Sequence, residues 1–144
     1  MQKQSKVWVD RYLRSIAAMG ADFLFVTDLD KFPCVTERLQ TIEQRYPRCA
    51  RAKTQVVVRE IESWYLAGIG DEDGQRLRLP SLPSTDSVTK GQFNEIIPAQ
   101  YRSRRDFMSE LLQRFSLQTA VHKNRSFAYF AKKYGLLDWR TAVS

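Results

Sequence analysis

Histidine and cysteine are scarce in this chain. One histidine, His122, and two cysteines, Cys34 and Cys49, are all that its 144 residues hold. A lone histidine excludes any site that needs two, which removes most histidine-rich zinc and iron centres. The cysteines lie in no CxxC pair and make no zinc site by themselves. A helix of about 12 residues between them would be about 18 Å long, so no bridge between them is expected. That cysteine usage points to a reducing, cytoplasmic setting. Long apolar runs are missing too. Unbroken apolar stretches are short, as in the four residues of Phe23–Val26, where a membrane helix needs about 20. The segment 1–6 is polar and leads into no apolar leader, so no secretory signal is expected. No internal repeat or low-complexity segment breaks the chain.

Acidic residues are also in deficit, and unevenly so. Lysine and arginine number 23 against 16 aspartates and glutamates, a formal charge of +7. Residues 1–99 hold 14 basic and 13 acidic side chains, whereas residues 100–144 hold 9 and 3. A basic final third on a nearly neutral body points to a surface that faces a polyanion. The length corresponds to one domain, expected as an α/β core over 1–70, a loop-rich excursion over 71–100 and a basic helical extension over 101–144.

The hydrophobic pattern places the elements. Val9, Tyr12, Leu13 and Ile16 share one face of a helix over 6–19, which Gly20 should close. Residues 22–27 read as a strand apolar on both faces, as in a buried parallel sheet. Val35, Leu39, Ile42 and Tyr46 place a helix over 35–46, stopped by Pro47. The valines of 54–60 mark a second strand. A short helix over 62–69 follows, with Trp64 and Tyr65 in the core. Residues 71–92 are turn-rich. Helices are expected at 103–116, begun by Ser103 and Asp106, and at 124–134, with Phe127, Phe130, Ala131 and Tyr134 inward. Two strands alone do not make a stable sheet. A weak third at 76–79, or a strand supplied from elsewhere, is therefore expected, and an open sheet edge would favour a homo-oligomer.

Carboxylates mark the candidate site. Asp28 and Asp30 follow the first strand, and the C-terminal ends of parallel strands are where α/β sheets bind ligands. Two carboxylates there can share a hard cation, Mg2+ or Mn2+. Glu60 and Glu62 stand at the end of the next strand. If the strands are neighbours, all four acids converge, and crowded like charges call for a neutralising cation. Arg102, Arg104 and Arg105 cluster at the start of the 103–116 helix, where arginine can grip phosphate bidentately. Lys123 and Arg125 flank Asn124 at the head of the last helix. His122 is expected at the surface or in a cap.

The run Phe23-Leu-Phe-Val-Thr-Asp28-Leu-Asp30, the block from Val56 through Arg59-Glu60-Ile61-Glu62-Ser63-Trp64-Tyr65-Leu66-Ala67, and the closing Asn124-Arg125-Ser126-Phe127 resemble the Toprim-like family of unknown function whose members are often encoded beside an ATPase. The resemblance covers about residues 7–134. It implies a three-layer parallel sheet with a helical C-terminal extension. Toprim domains of topoisomerases, primases and OLD-type nucleases hold Mg2+ on such acids. The resemblance thus implies Asp28, Asp30, Glu60 and Glu62 as metal ligands, and Lys90 as a catalytic phosphate or transition-state contact. The function expected from it is metal-dependent cleavage of nucleic-acid phosphodiesters, in phage defence or DNA processing with an ATPase partner. The family normally opens on a strand ending in an acid, and nothing of that kind precedes Val7. That departure favours the alternative, a catalytically degenerate module that binds nucleic acid or protein.

Overall fold

A single long helix begins the chain. In a computed structural model, residues 2–137 are described, and α1 runs from Gln2 to Ala18. It ends as its sequence predicts. Gly20 takes φ +67°, its N–H donates to the Ala17 carbonyl at 3.0 Å, and the Ala21 N–H donates to Ile16 at 3.2 Å. This left-handed closure satisfies the last carbonyls of the helix and suits a residue without Cβ. Leu13 is 4% exposed and packs with Ile42, Tyr46 and Cys49, joined by Val9, Phe23 and Phe25. Tyr12 departs from the expected inward face. It is exposed and stacks on Trp8 instead.

The chain divides into two compact units that meet at Val57/Val58. In the first unit, α1 is followed by β1 (Phe25–Asp28), α2 (Val35–Arg45), a short 3-10 turn (Arg51–Lys53) and β2 (Thr54–Val57). The strands pair in parallel, Phe25 opposite Thr54 and Asp28 opposite Val57. A parallel pair joined through a helix is the βαβ arrangement expected from the strand–helix–strand order. All four residues of β2 are buried, and β1 is more open. Beside the sheet, Lys53 lies 3.0 Å from Asp22. That hydrogen bond, helped by the Phe23 N–H, holds the Asp22 carboxyl below its ordinary range.

The second unit is helical: α3 (Glu62–Ala67), α4 (Asp71–Arg76), α5 (Lys90–Glu95), α6 (Arg104–Gln113), α7 (Leu117–Lys123) and α8 (Arg125–Lys133). Its core joins Leu66, Ile69, Leu77, Val88, Phe93, Phe107 and Leu111. Trp64 stands edge-on to Phe127, with centroids 5.2 Å apart. Gly68 is covered by the ring of Phe115, which occupies the space a Cβ would need, and the Ser116 N–H donates to the Gly68 carbonyl at 2.8 Å. Arg114 ties α6 to α4 through Glu110 at 2.8 Å and Asp73 at 2.9 Å.

The α/β class and the parallel pairing hold, and no described helix is long and apolar enough to cross a membrane. Several boundaries differ from the sequence reading. The strand expected over 54–60 stops at Val57, because Arg59 takes φ +69°, a left-handed turn that ends extended pairing. The weak third strand expected at 76–79 is instead the last residue of α4 and the turn after it, with Arg78 at φ +59°. The sheet has two strands among the described residues. The excursion over 71–100 is not all loop. Asp71, Glu72 and Asp73 fill the first turn of α4, where carboxylates favour a helix, and Thr89 with Gln92 forms a capping box that starts α5. The helix expected over 103–116 ends at Gln113. A further helix, α7, begins beyond it from the N-cap Ser116. Of the basic extension, residues 138–144 lie outside the described residues.

Candidate functional site

Asp28 and Asp30 sit where the strand pattern predicts, at the C-terminal end of β1. Asp28 closes the ladder opposite Val57, and the Leu29 N–H extends it to the Val57 carbonyl at 2.9 Å. Asp30 is exposed and left-handed, with φ +54°, a conformation aspartate tolerates. Arg38 of α2 secures this end. Its Nε donates to the Asp28 carbonyl at 3.1 Å, a terminal nitrogen donates to Thr27 Oγ1 at 2.7 Å, and its guanidinium lies over the Phe32 ring. The register puts Val57, and not a glutamate, opposite Asp28. Glu60 and Glu62 therefore stand past the end of the ladder and belong to the second unit.

There the two glutamates serve neighbouring helices. Glu60 accepts the backbone N–H of Lys90, the first residue of α5. Glu62 pairs with Arg104, the first residue of α6. The Glu62 side chain is 5% exposed. Its Oε2, like Arg104 Nε, is buried without a hydrogen-bond partner among the described residues. Glu60 thus holds α5 by a backbone N–H at its N-terminal end, where exposed N–H groups and the helix dipole favour a negative charge, and Glu62 holds α6 through the side chain of its first residue. A consequence follows for the basic side chains. Lys90 and the 102–105 segment, remote in sequence, are drawn to the start of α3, with exposed Arg59 one residue before Glu60. Lys90, Arg102 and Arg105 are exposed, and among the described residues none of their side chains makes an ion pair. Arg59 does not stand out from sequence as a binding residue. Its signal is its place between a strand end and the Glu60 clamp.

The other basic candidates separate into inner and outer ones. Lys123 is committed inward: its Nζ donates to the Ile69 carbonyl at 2.7 Å and lies 3.7 Å from Asp71. It borders a recess of about 210 Å³ beside Leu66, Gly74 and Leu79. Arg125 points out, 95% exposed, with Asp86 at 3.4 Å. Asn124, between them, is 2% exposed and fully used. Its Oδ1 accepts from Ser126 Oγ and the Phe127 N–H, both at 2.9 Å, and its Nδ2 donates to Ser63 at 3.3 Å and Thr85 at 3.1 Å. Trp64 Nε1 donates to Ser126 Oγ at 2.6 Å. The Asn-Arg-Ser-Phe segment thus caps α8 and fastens it to α3. His122 is exposed in the last turn of α7, as expected. Cys34 is exposed, Cys49 is buried, and both are free.

Within the second unit, Glu60 and Glu62 are both already engaged. The guanidinium on Glu62 already supplies the counter-charge, and a divalent ion beside it would face a like charge. Glu60 is engaged by a backbone donor. A hard cation needs about six oxygen ligands. Among the described residues no three His, Cys, Asp or Glu side chains are grouped to hold one. The arrangement can instead present fixed positive charge to an anion. Comparison with protein-family models, with curated proteins and with solved structures finds no match to this chain.

Proposed function

We propose that this chain is a nucleic-acid-binding module of the Toprim-like kind without a working metal centre of its own. On this reading β1, α2 and β2 are the kernel of the three-layer sheet, and the acids past β2 have become structural. One observation carries it. Glu60 and Glu62 hold the N-terminal ends of α5 and α6, and this gathers exposed Lys90, Arg102 and Arg105 at one end of α3. Exposed arginines and lysines on fixed helix ends suit phosphate oxygens, which they meet at short, charge-assisted distances. Lys90 then binds phosphate and has no catalytic role.

The test is a salt titration. Labelled duplex and single-stranded DNA are bound to the purified chain over a range of ionic strength, with and without Arg102→Ala/Arg105→Ala. Affinity should fall as salt rises, because bound phosphates release counterions. The double variant should bind more weakly and should flatten the log–log slope by about 1 for each phosphate no longer neutralised. Unchanged affinity and slope would reject the patch. Cleavage of DNA that requires Mg2+ or Mn2+ and is lost in Asp28→Ala would reject the non-catalytic reading and restore the nuclease.

A further inference from the structure

The reading above leaves one surface of the first unit unused, the outward face of α1. Its inner face is occupied. Leu13 and Val9 pack on Ile42, Tyr46 and Cys49. On the other side Trp8, Tyr12, Ser15 and Met19 recur at i, i+4, i+7 and i+11, one above the next. Trp8 is 65% exposed, Tyr12 57% and Met19 73%. The Trp8 and Tyr12 rings lie parallel, 6° apart in plane, with centroids 5.5 Å apart. Water-exposed aromatics at this density are unusual for a surface with no ligand. Arg11 and, one turn farther along the same flank, Arg14 border this stripe, both exposed and without an ion pair among the described residues, whereas Lys6 lies round the helix toward Leu13. The single acid of the helix, Asp10, is half-buried, and its charge bears on Cys49.

We infer that the outward face of α1 is a stacking platform for single-stranded nucleic acid. This rests on the reading that the chain binds nucleic acid, and adds to it which strand form is held and where. Charge complementarity sets the class of partner. Arg11 and Arg14 run along one flank to meet a phosphate backbone, and the paired rings offer a flat face on which an unstacked base can lie. A duplex hides its bases, so the rings discriminate for a single strand. The same surface is poorly suited to its competitors. A helix lying in a membrane interface needs a broad apolar face, and here Arg11 and Ser15 interrupt a narrow stripe. A second copy of the chain docking face to face would bring four like charges, Arg11 and Arg14 from each copy, to one interface with no acid of this face to answer them.

The experiment compares two double variants on two probes. The probes are a labelled oligothymidylate of about 20 nucleotides and a duplex of equal length, read by fluorescence anisotropy. Trp8→Ala/Tyr12→Ala should weaken the oligothymidylate about tenfold or more, since one stacked base contributes about 1–3 kcal/mol, and should leave the duplex nearly unchanged. Arg102→Ala/Arg105→Ala should weaken both probes. Trp8→Phe, which keeps a ring, should restore most of the affinity and guards against a loss caused by unfolding. Oligothymidylate binding unmoved by Trp8→Ala/Tyr12→Ala, with the arginine pair still costing affinity, would overturn the platform and leave the parent reading standing. No binding of either probe would overturn both. Vesicles of phosphatidylglycerol, or a concentration-dependent dimer, responding to Trp8→Ala while the oligothymidylate does not, would assign the face to a membrane or to a second copy and overturn the inference.

Discussion

The guanidinium of Arg104 rests on the carboxylate of Glu62, a side chain only 5% exposed at the start of α3. Each partner makes the burial of the other tolerable, and both begin a helix. Removing one charge is therefore different from removing both.

Arg104→Ala should destabilise the chain by about 3 kcal/mol, the lower end for a broken buried pair, because Arg104 itself stays partly open to water. Glu62→Gln/Arg104→Gln should lose less than the two single changes added together, since no charge is then stranded. Urea denaturation of Arg104→Ala, Glu62→Gln, Arg104→Gln and the double glutamine variant measures this. Equal and additive losses would show that the pair is not coupled. A ligand role for Glu62 predicts something else: loss of Mn2+ binding with little change in stability.

Asn124 is the second structural pivot. Asn124→Ala should cost about 1 kcal/mol for the lost cap of α8. A further ~1–3 kcal/mol should follow because Ser63 and Thr85 lose a buried partner. Asn124→Asp keeps the cap acceptor but not the two N–H donors, so its melting temperature should fall between that of the alanine variant and the parent. A melting curve of the aspartate variant that overlays the alanine one would show that the cap matters little.

The two cysteines should label in two distinct phases. Cys34 is exposed and Cys49 is buried. A thiol reagent should modify one group at once and the second only on unfolding. Burial, with a smaller effect from Asp10, pushes the Cys49 thiol above its ordinary value of 9.0. The unfolded chain therefore ionises first. The contribution is fully present below pH 9.0 and is lost as pH rises toward the folded value. Cys49→Ser should remove that alkaline loss. An unchanged slope of stability against pH above 9.0 in this variant would assign the loss to other groups.

The local chemistry of the chain decided much of its fold in advance. The left-handed closure at Gly20, the two strands and their parallel pairing, the cap at Ser103 and the inward Phe127 and Ala131 all follow from spacing and residue type. These features depend on neighbours within a turn or two of helix, so a one-dimensional pattern records them. The capping box of Thr89 and Gln92 and the cap at Ser116 were equally local, and α5 and α7 were legible there. What no local pattern could state is which distant group answers a charge. Glu62 carries the same carboxylate whether it meets a metal ion or Arg104, and Tyr12 fits the inner face of α1 as well as the outer. Those choices depend on through-space packing: α6 beside α3, and the breadth of core that Ile42, Tyr46 and Cys49 offer to α1. Electrostatic pairing and burial are set by distance in space and not along the chain. Tertiary structure therefore decided that the acids past β2 hold helices together, and that an aromatic pair on α1 was left facing water.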